Sequence, residues 1–589
     1  MALRPVERLP EDLVNKIAAG EVVERPASVV KELVENALDA GARTVQVEIQ
    51  DGGKSLIRVR DDGQGMSRAD AELALERHAT SKLRTLGDLQ AITSHGFRGE
   101  ALPSIASVSE LVLQTRDEAG PAGTEVAVSH GRRLHLRDAG HPRGTTVEVR
   151  DLFGAVPARR KFLRAESTEA GHVAEAVSLL ALAHPETGFF LRSGGRTLVE
   201  APPASGLGPR VFQVFGPRFL EGLKPVEGGA DWARVWGFVS RPDQPRPARP
   251  SLRLYVNGRP VRDRALARAV SEAYRGAGAS DRGFEAILFV ECPPHLVDVN
   301  VHPAKTEVRF ADGRTPFSAV ERAVRQALTG SGEASETPAV RVSGGGPGGV
   351  EAAVQSFFAR ADSPPAPGAD RSWPRLPAPT ADRVAEAAEG EAGGPLVMGQ
   401  HRLTYIVATD GDDLLLVDQH SAHERVRFER LMRQVAQRAV ESQRLLVPLV
   451  HELAPALRPV LDANAEALTL LGYEVEPFGG AATRVLAVPA ILGTRHPGLA
   501  LERLLRDLLE REAGEWMVAG ARDRLAATLA CHSAVRAGQG LTTESMAAIV
   551  RDLPGTQEPL VCPHGRPTMA RIPRDEVSRW FGRSGWKRR

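Results

Sequence analysis

The stretch 26–39 reads Pro-Ala-Ser-Val-Val-Lys-Glu-Leu-Val-Glu-Asn-Ala-Leu-Asp. Pro26 predicts a helix start, because proline is favoured in the first helical turn. Apolar residues at helical spacing predict the buried stripe, which consists of Val30, Leu33, Val34 and Ala37. Glu32 and Asn36, four residues apart, share another side of this helix. A carboxylate and a side-chain amide at that spacing can position a water molecule and an Mg²⁺ ion.

Two glycine-containing segments follow this helix. Asp61-Asp62-Gly63-Gln64-Gly65 comes directly after a predicted strand. Its carboxylate can accept a hydrogen bond from an exocyclic amine, and its glycines let backbone approach a ligand. The segment Gly96-Phe-Arg-Gly-Glu-Ala101 precedes a predicted helix, whose free N–H groups suit phosphate oxygens. The three segments in this order predict a nucleotide site.

Strand patterns surround these motifs. Residues 45–49 and 56–60 alternate with period two and are joined by Asp51-Gly52-Gly53, which predicts a hairpin. Further strands are expected at 111–115, 124–128 and 145–149. Antiparallel strands with interspersed helices predict an α/β (α+β) two-layer sandwich.

The chain of 589 residues is long enough for about three to four domains. The segment 331–395 is rich in Gly, Pro and Ser and poor in aliphatic residues, which predicts a disordered linker. We therefore expect units at 1–210, 211–330 and 396–589. The second contains strands at 252–256 and 286–290, and the third begins with strands near 403–409 and 413–418.

Composition excludes several classes of protein. Three cysteines and no signal peptide argue against a disulfide framework and predict a cytoplasmic location. The sequence contains no run of about 18 apolar residues, so no membrane span is predicted. The formal net charge is +1, so DNA binding would depend on local basic patches such as Arg159-Arg160-Lys161.

The stretch 418–429, Asp-Gln-His-Ser-Ala-His-Glu-Arg-Val-Arg-Phe-Glu, follows the apolar run 414–417, which predicts a buried strand ending at Asp418. A helix beyond it would place His420 and Glu424 on one face. Downstream the chain offers three further candidate ligands, Cys531, Cys562 and His564. Such a set suits zinc or a similar divalent ion. The alternative is a charged surface helix and two ordinary buried cysteines.

Together these motifs resemble the MutL family of DNA mismatch repair proteins, within the ATPase superfamily of gyrase, Hsp90 and histidine kinases. The nucleotide motifs of that family match residues 15–39 and 58–102, and its second domain matches 298–305. The stretches 418–429 and 562–567 match its nuclease-bearing members. The resemblance implies an ATPase domain, a second domain with a ribosomal S5-like fold, and a C-terminal dimerisation and endonuclease domain of a homodimer.

The resemblance also implies residue roles. In the ATPase, Glu32 would be the general base, Asn36 would ligate Mg²⁺ and Asp61 would bind adenine. The remaining ATP-binding positions would be Gly65, Thr80, Arg98, Gly99, Glu100, Ala101, Leu102, Thr145 and Lys305. In the nuclease, Asp418 and Glu424 would be catalytic, and zinc or Mn²⁺ would be held by Asp418, His420, Glu424, Cys531, Cys562 and His564. Ser421 stands where the family usually has Ala, and His532 where Arg or Lys is common.

Three functions are consistent with these motifs. The first is an ATP-gated endonuclease that nicks DNA during mismatch repair. Its partners would be the mismatch-recognition protein MutS and a sliding clamp, and it would associate with the nucleoid during repair. The second is a matchmaker without nuclease activity. The third, a topoisomerase or chaperone, is disfavoured because only four Tyr are present and no further catalytic domain is evident.

The segment Gln443-Arg-Leu-Leu-Val-Pro448 resembles the Gln-led apolar peptide by which MutL nucleases dock on the sliding clamp. Leu445, Leu446 and Val447 would fill an apolar pocket on the clamp, and Gln443 would fix the orientation. The alternative is a buried strand over 445–450.

Overall fold

The computed structural model describes residues 23–82, 94–96, 99–242, 250–277, 283–298, 307–329, 395–479, 482–492, 496–510, 520–581 and 583. Arg98 and Lys305 lie outside the described residues, as does all of the predicted linker except position 395. In the part of the chain that is described, no helix is both long and apolar enough to span a bilayer.

The first unit is the expected two-layer sandwich. Its strands are β1 (Thr44–Gln50), β2 (Leu56–Asp61), β3 (Glu110–Arg116), β4 (Gly123–Ser129), β5 (Arg132–Ala139), β6 (Gly144–Arg150), β7 (Gly188–Ser193) and β8 (Arg196–Ala201). Its helices are α1 (Pro26–Asp39), α2 (Arg68–Leu73), α3 (Ala101–Ser107), α4 (Pro157–Lys161) and α5 (Glu166–Ala183). The sheet order is β5-β4-β3-β6-β2-β1-β7-β8, and α1 and α5 pack together on one face.

The local patterns explain this layer. The predicted apolar stripe of α1 is buried against the sheet. β1 and β2 form the expected antiparallel hairpin, and Asp51 and Gly52 in its turn adopt positive φ. β1 buries alternate residues, as a sheet covered by helices on one side requires. The strands expected at 111–115, 124–128 and 145–149 are confirmed as parts of β3, β4 and β6.

Helices α6 (Leu207–Phe215) and α7 (Pro217–Glu221) lead into the second unit. The predicted boundary at 210/211 falls inside α6, where Val211 and Val214 still pack in the first core. Beside them Arg210 is fully buried and donates hydrogen bonds to the carbonyls of Pro185, Thr187, Ala201 and Pro202. This guanidinium therefore satisfies four backbone acceptors at once.

The second unit has its own core. Its strands are β9 (Leu223–Ala230), β10 (Ala233–Ser240), β11 (Ser251–Val256), β12 (Arg259–Val261), β13 (Glu285–Glu291), β14 (Val297–Asp298) and β15 (Arg309–Phe310). Helices α8 (Arg264–Gly276) and α9 (Arg314–Thr329) complete it. The main sheet has the order β12-β11-β13-β10-β9, with α9 packed against β9 and β10.

The C-terminal unit contains two small sheets. Its strands are β16 (Leu396–His401), β17 (Tyr405–Asp410), β18 (Asp413–Asp418), β19 (Ser442–Glu452), β20 (Glu474–Pro477), β21 (Ala482–Pro489) and β22 (Met569–Ile572). Its helices are α10 (Gln419–Ala436), α11 (Arg458–Ala463), α12 (Ala465–Leu470), α13 (Pro497–Glu510), α14 (Ala521–Ser533), α15 (Thr543–Asp552) and α16 (Arg574–Trp580). The sheets are β16-β17-β18-β22 and β19-β21-β20, each with its own apolar cluster.

The expectation of a buried strand over 414–417 is only half right. The run forms β18 and ends at Asp418 as expected, but Leu415 and Val417 are buried whereas Leu414 and Leu416 are partly exposed. The sheet is antiparallel, and successive side chains point to opposite faces of a strand. One face of β18 is therefore left in contact with solvent.

Candidate functional site

Asp39, at the end of α1, is the centre of a hydrogen-bond network. Its carboxylate accepts from the backbone N–H groups of His95 and Gly96, both at 2.9 Å, and from Lys82 Nζ at 2.5 Å. Burial disfavours its charge, but the Lys82 ammonium and the two N–H groups outweigh burial and hold the pKa of Asp39 below its usual value. Lys82 Nζ also donates to Asn36 Oδ1 at 2.9 Å. Asn36 and Glu32 lie one turn apart on α1, and Glu32 is buried.

The predicted adenine-side residues lie at the end of β2. Burial raises the pKa of Asp61 to about 6, although its Oδ1 accepts from the N–H of Gly63 at 2.9 Å. Asp61 pairs with Thr145 across β2 and β6, and the Thr145 hydroxyl lies 3.0 Å from that of Thr115. Gly65 has φ +70°, and a Cβ there would collide with the carbonyl of Arg116. A side chain at position 65 is therefore excluded by both backbone conformation and space.

The predicted phosphate segment is described on both sides of residues 97–98. The N–H of Lys82 donates to Thr80 Oγ1 at 3.2 Å. Gly99 has φ +63°, and a Cβ there would lie 2.5 Å from the carbonyl of Ala79. Glu100 is the N-cap residue of α3, so Ala101 and Leu102 form its first turn. The glycine brings 79–82 against the start of α3, as the sequence motif requires.

Arg259 of β12 is a site neighbour that sequence analysis missed. It is buried, and its guanidinium donates to the carbonyls of Ser94 and His95 at 3.0 and 3.1 Å. The N–H of His95 meanwhile donates to Asp39. Segment 94–96 is thus fixed on two sides. Its N–H groups donate to Asp39 of the first unit, and its carbonyls accept from Arg259 of the second unit. No local pattern connects Arg259 to a segment so distant in sequence.

The candidate metal ligands meet in two clusters that share Glu424. His420, Glu424 and Cys531 form one, and Glu424, Cys562 and His564 form the other. Within each cluster the possible ligand atoms all lie within 4.8 Å of one another. Sulfur, imidazole and carboxylate donors at this spacing fit zinc or a similar divalent ion.

Local contacts orient these side chains. His420 Nδ1 donates to the carbonyl of Val535 at 2.8 Å, which directs Nε2 to Cys531 Sγ at 3.9 Å. Glu424 is ion-paired with His564 Nδ1. Burial disfavours the Glu424 charge, but the His564 imidazole lowers the pKa of that carboxyl. Burial and the nearby Glu424 raise the pKa of the Cys562 thiol.

Asp418 lies near these clusters but belongs to neither of them. It caps α10, with its Oδ1 accepting from the N–H of Ser421 at 2.7 Å. Ser421, whose backbone N–H makes this contact, is buried. His532 Nε2 lies 2.9 Å from Asp507 Oδ2, and His532 is not a member of either cluster.

The segment 443–447 lies on the surface. It belongs to β19, whose pairing with β21 is interrupted between Arg444 and Leu449. Leu446 is 101% exposed and Val447 75% exposed, whereas Leu445 packs partly against the core. The alternative of a buried strand over 445–450 is therefore wrong for Leu446 and Val447.

Three family descriptions match successive parts of the chain. Residues 24–127 match the histidine kinase-, DNA gyrase B-, and HSP90-like ATPases. Residues 211–329 match the DNA mismatch repair protein, C-terminal domain, and residues 398–541 the MutL C terminal dimerisation domain. The first unit is thus an ATPase domain of the gyrase and HSP90 class.

Whole-chain relatives narrow the class to one family. The chain is 46% identical over 605 residues to the DNA mismatch repair protein MutL of Anaeromyxobacter sp. (strain K), covering 98% of this chain and 99% of the relative. It is 42% identical over 604 residues to that of Geobacter sulfurreducens, with the same coverage. The Aquifex aeolicus MutL ATPase domain complexed with ADP is 35% identical, covering 46% of this chain and 94% of that one, with a TM-score of 0.35. The chain belongs to the MutL family of DNA mismatch repair proteins.

Proposed function

We propose that this protein couples ATP binding and hydrolysis to metal-dependent nicking of DNA during mismatch repair. The observation that carries the proposal is the pair of ligand clusters sharing Glu424. A protein that only recruits partners has no need of sulfur, imidazole and carboxylate donors at this spacing. Two copies would join through the dimerisation domain, and MutS would recruit them to a mismatch.

The contacts around α1 support the roles that we propose for the ATPase residues. Glu32 would be the general base for the attacking water, and Asn36, whose Oδ1 accepts a hydrogen bond from Lys82 Nζ, would be a ligand of Mg²⁺. Asp61 accepts from the adenine amine beside Gly65 and Thr145. Thr80 and residues 98–102 would bind the phosphates, and Lys305 would supply a further cation for them.

These roles are separable by substitution. Glu32→Ala should retain ATP binding and lower turnover by roughly 10²–10⁴, the usual value of general-base assistance. Asn36→Ala should instead weaken Mg–ATP binding, measured by calorimetry. Glu76→Ala, on an exposed carboxylate of the same unit, is the control. Equal turnover in wild type and Glu32→Ala would refute the assignment.

The nuclease roles are assigned to the two clusters. His420, Glu424, Cys531, Cys562 and His564 would hold zinc, and Asp418 would complete the site for the nicking metal. A divalent cation supplies Lewis-acid activation of water when bound there, and Mn²⁺ suits the carboxylate donors. Two contacts orient the donors. Asp418 caps the N-terminus of α10, and His420 Nδ1 donates a hydrogen bond to the carbonyl of Val535.

Asp418→Asn gives a sharp test of nicking. Asparagine is as good an N-cap as aspartate, so α10 keeps its cap while the site loses a charge. The full chain with Mn²⁺ should convert supercoiled plasmid to the nicked form, and Asp418→Asn should not, at an unchanged ATPase rate. Asp412→Asn, an exposed residue before the same strand, is the control. Nicking that persists in Asp418→Asn, or is absent from wild type, would leave the matchmaker function.

The exposed segment 443–447 supports docking on the sliding clamp. Leu446 and Val447 present apolar surface to solvent, which marks an interaction site when it is contiguous. Gln443→Ala with Leu446→Ser should keep the thermal melt within a few degrees and abolish stimulation of nicking by the clamp. Arg444→Ala, exposed on the same strand, is the control. A collapsed melt, or unchanged stimulation, would contradict the docking role.

A further inference from the structure

Helix α5 of the ATPase unit has an apolar surface wider than its own unit covers. Its buried positions include Ala170, Gly171, Val173, Ala174 and Val177 and occupy more than half of its circumference. One side packs on α1 and on β7 and β8. A helix that is apolar on most sides must be covered on most sides. The outer side of α5 therefore calls for a second partner.

The C-terminal unit covers this outer side. Residues 455–457 and helices α11 and α13 pack against α5, and Ala456 and Leu457 are buried there. The approach is very close at Gly171. A Cβ at that position would lie 2.6 Å from the carbonyl oxygen of Ala456 and 2.7 Å from Leu509 Cδ1. Only glycine at 171 allows this packing.

The C-terminal end of α13 meets a cation on the ATPase unit. Arg164 Nη1 donates to the carbonyls of Leu509 and Glu510 at 2.9 and 3.3 Å. These charge-assisted hydrogen bonds join a guanidinium of the ATPase unit to the backbone of a helix in the C-terminal unit.

Ion pairs continue the interface on both sides. Arg506 of α13 lies 2.8 Å from Glu502 on its own helix and 3.8 Å from Glu285 of β13. Glu285 is almost fully buried, so the Arg506 guanidinium near it offsets part of the cost of burying its charge. At the edge, Arg196 pairs with Asp462 of α11 at 2.6 Å.

We propose that α13 and residues 455–463 dock on the outer side of α5 and form an intrachain latch, which holds the ATPase unit and the C-terminal unit of one chain in a closed form. The close approach at Gly171, the hydrogen bonds from Arg164 to α13 and the bridging Arg506 all specify the same occupant. The latch does not depend on the nuclease assignment.

Gly171→Ala tests the latch in the full chain. Alanine stabilises a helix interior better than glycine does, so α5 itself should become no less stable. The methyl group nevertheless clashes with Ala456, so the docked segments should open. Hydrogen exchange of peptides covering 455–463 and 497–510 should accelerate by about tenfold, because segments that are no longer docked open locally more often. Small-angle scattering should show a larger radius of gyration, with ADP affinity unchanged.

Two further variants complete the experiment. Gly208→Ala is the matched control, because a Cβ there makes only an ordinary 3.8 Å contact with Phe238. Arg164→Ala introduces no clash and should open the same segments if the latch exists. Equal exchange in wild type, Gly171→Ala and Arg164→Ala would overturn the proposal. If the protection of these segments from hydrogen exchange in wild type decreases when the protein is diluted, the docking occurs between two copies of the chain. That result would overturn the intrachain assignment.

Discussion

Asp61→Asn should stabilise the nucleotide-free protein while destroying its ability to bind adenine nucleotides. The pKa of Asp61 is raised from 3.8 to about 6 because its carboxylate is buried. A group with a raised native pKa contributes stability that is present below its unfolded pKa and is lost as pH rises through the native value. At pH 7.5 the native state therefore carries the full cost of a buried charge.

The magnitude follows from the shift. Two units at about 1.36 kcal/mol each give about 3 kcal/mol, of which Asn should recover about 2–3 because its amide is cheaper to bury than a carboxylate. Asn Oδ1 can still accept from the N–H of Gly63, so the turn is retained. For a unit of this size the gain corresponds to roughly 5–10 °C in melting temperature. At pH 5 it should fall to about half, since native Asp61 then takes up a proton.

Scanning calorimetry of the full chain measures this effect. In wild type, the transition that ADP and Mg²⁺ shift upward identifies the ATPase unit. Asp62→Asn is the control, because Asp62 is an exposed carboxylate that accepts from the N–H groups of Arg43 and Thr44. It should give no gain at pH 7.5. A transition in Asp61→Asn that is unchanged or lower at pH 7.5, or a gain equally large at pH 5, would refute the reasoning.

Three further substitutions have definite expected outcomes. Arg259→Ala should lower the ATP turnover number more than it raises KM, because segment 94–96 loses its hold from the second unit; steady-state kinetics measures both, and an unchanged turnover number would contradict that positioning role. Gly65→Ala should abolish ADP binding in titration calorimetry, since both positive φ and the Arg116 carbonyl exclude a side chain; wild-type affinity would show that the loop can move away freely. Arg210→Met should destabilise the ATPase unit by about 3–5 kcal/mol in urea melts, because four carbonyls lose their donor; a loss under about 1 kcal/mol would mean that water replaces the guanidinium.

Local periodicity explains which parts of the structure could be predicted from the sequence. The stripe of α1 and the β1–β2 hairpin depend on neighbours within a few residues, and both were predicted correctly. The sequence analysis explained Gly65 by close approach of the backbone to a ligand, whereas the group that excludes a side chain there is the Arg116 carbonyl, at the end of a strand distant in sequence. The hydrogen bonds from Arg259 to segment 94–96 join two units, and no pattern in the neighbouring sequence predicts them. The prediction that the whole run 414–417 is buried was only half right, because composition alone does not say which face of a strand is covered.

Glu424 would link the two ligand clusters thermodynamically if both bind a cation. Its carboxylate has only two oxygens, and it belongs to both clusters. A first cation bound by one cluster would change the charge and the orientation of a donor that the other cluster needs. The occupancies would therefore be coupled by a free energy, and by reciprocity each cation would change the affinity of the other by the same factor. A metal titration of this protein should not fit two independent sites, and removing Glu424 should impair both sites at once.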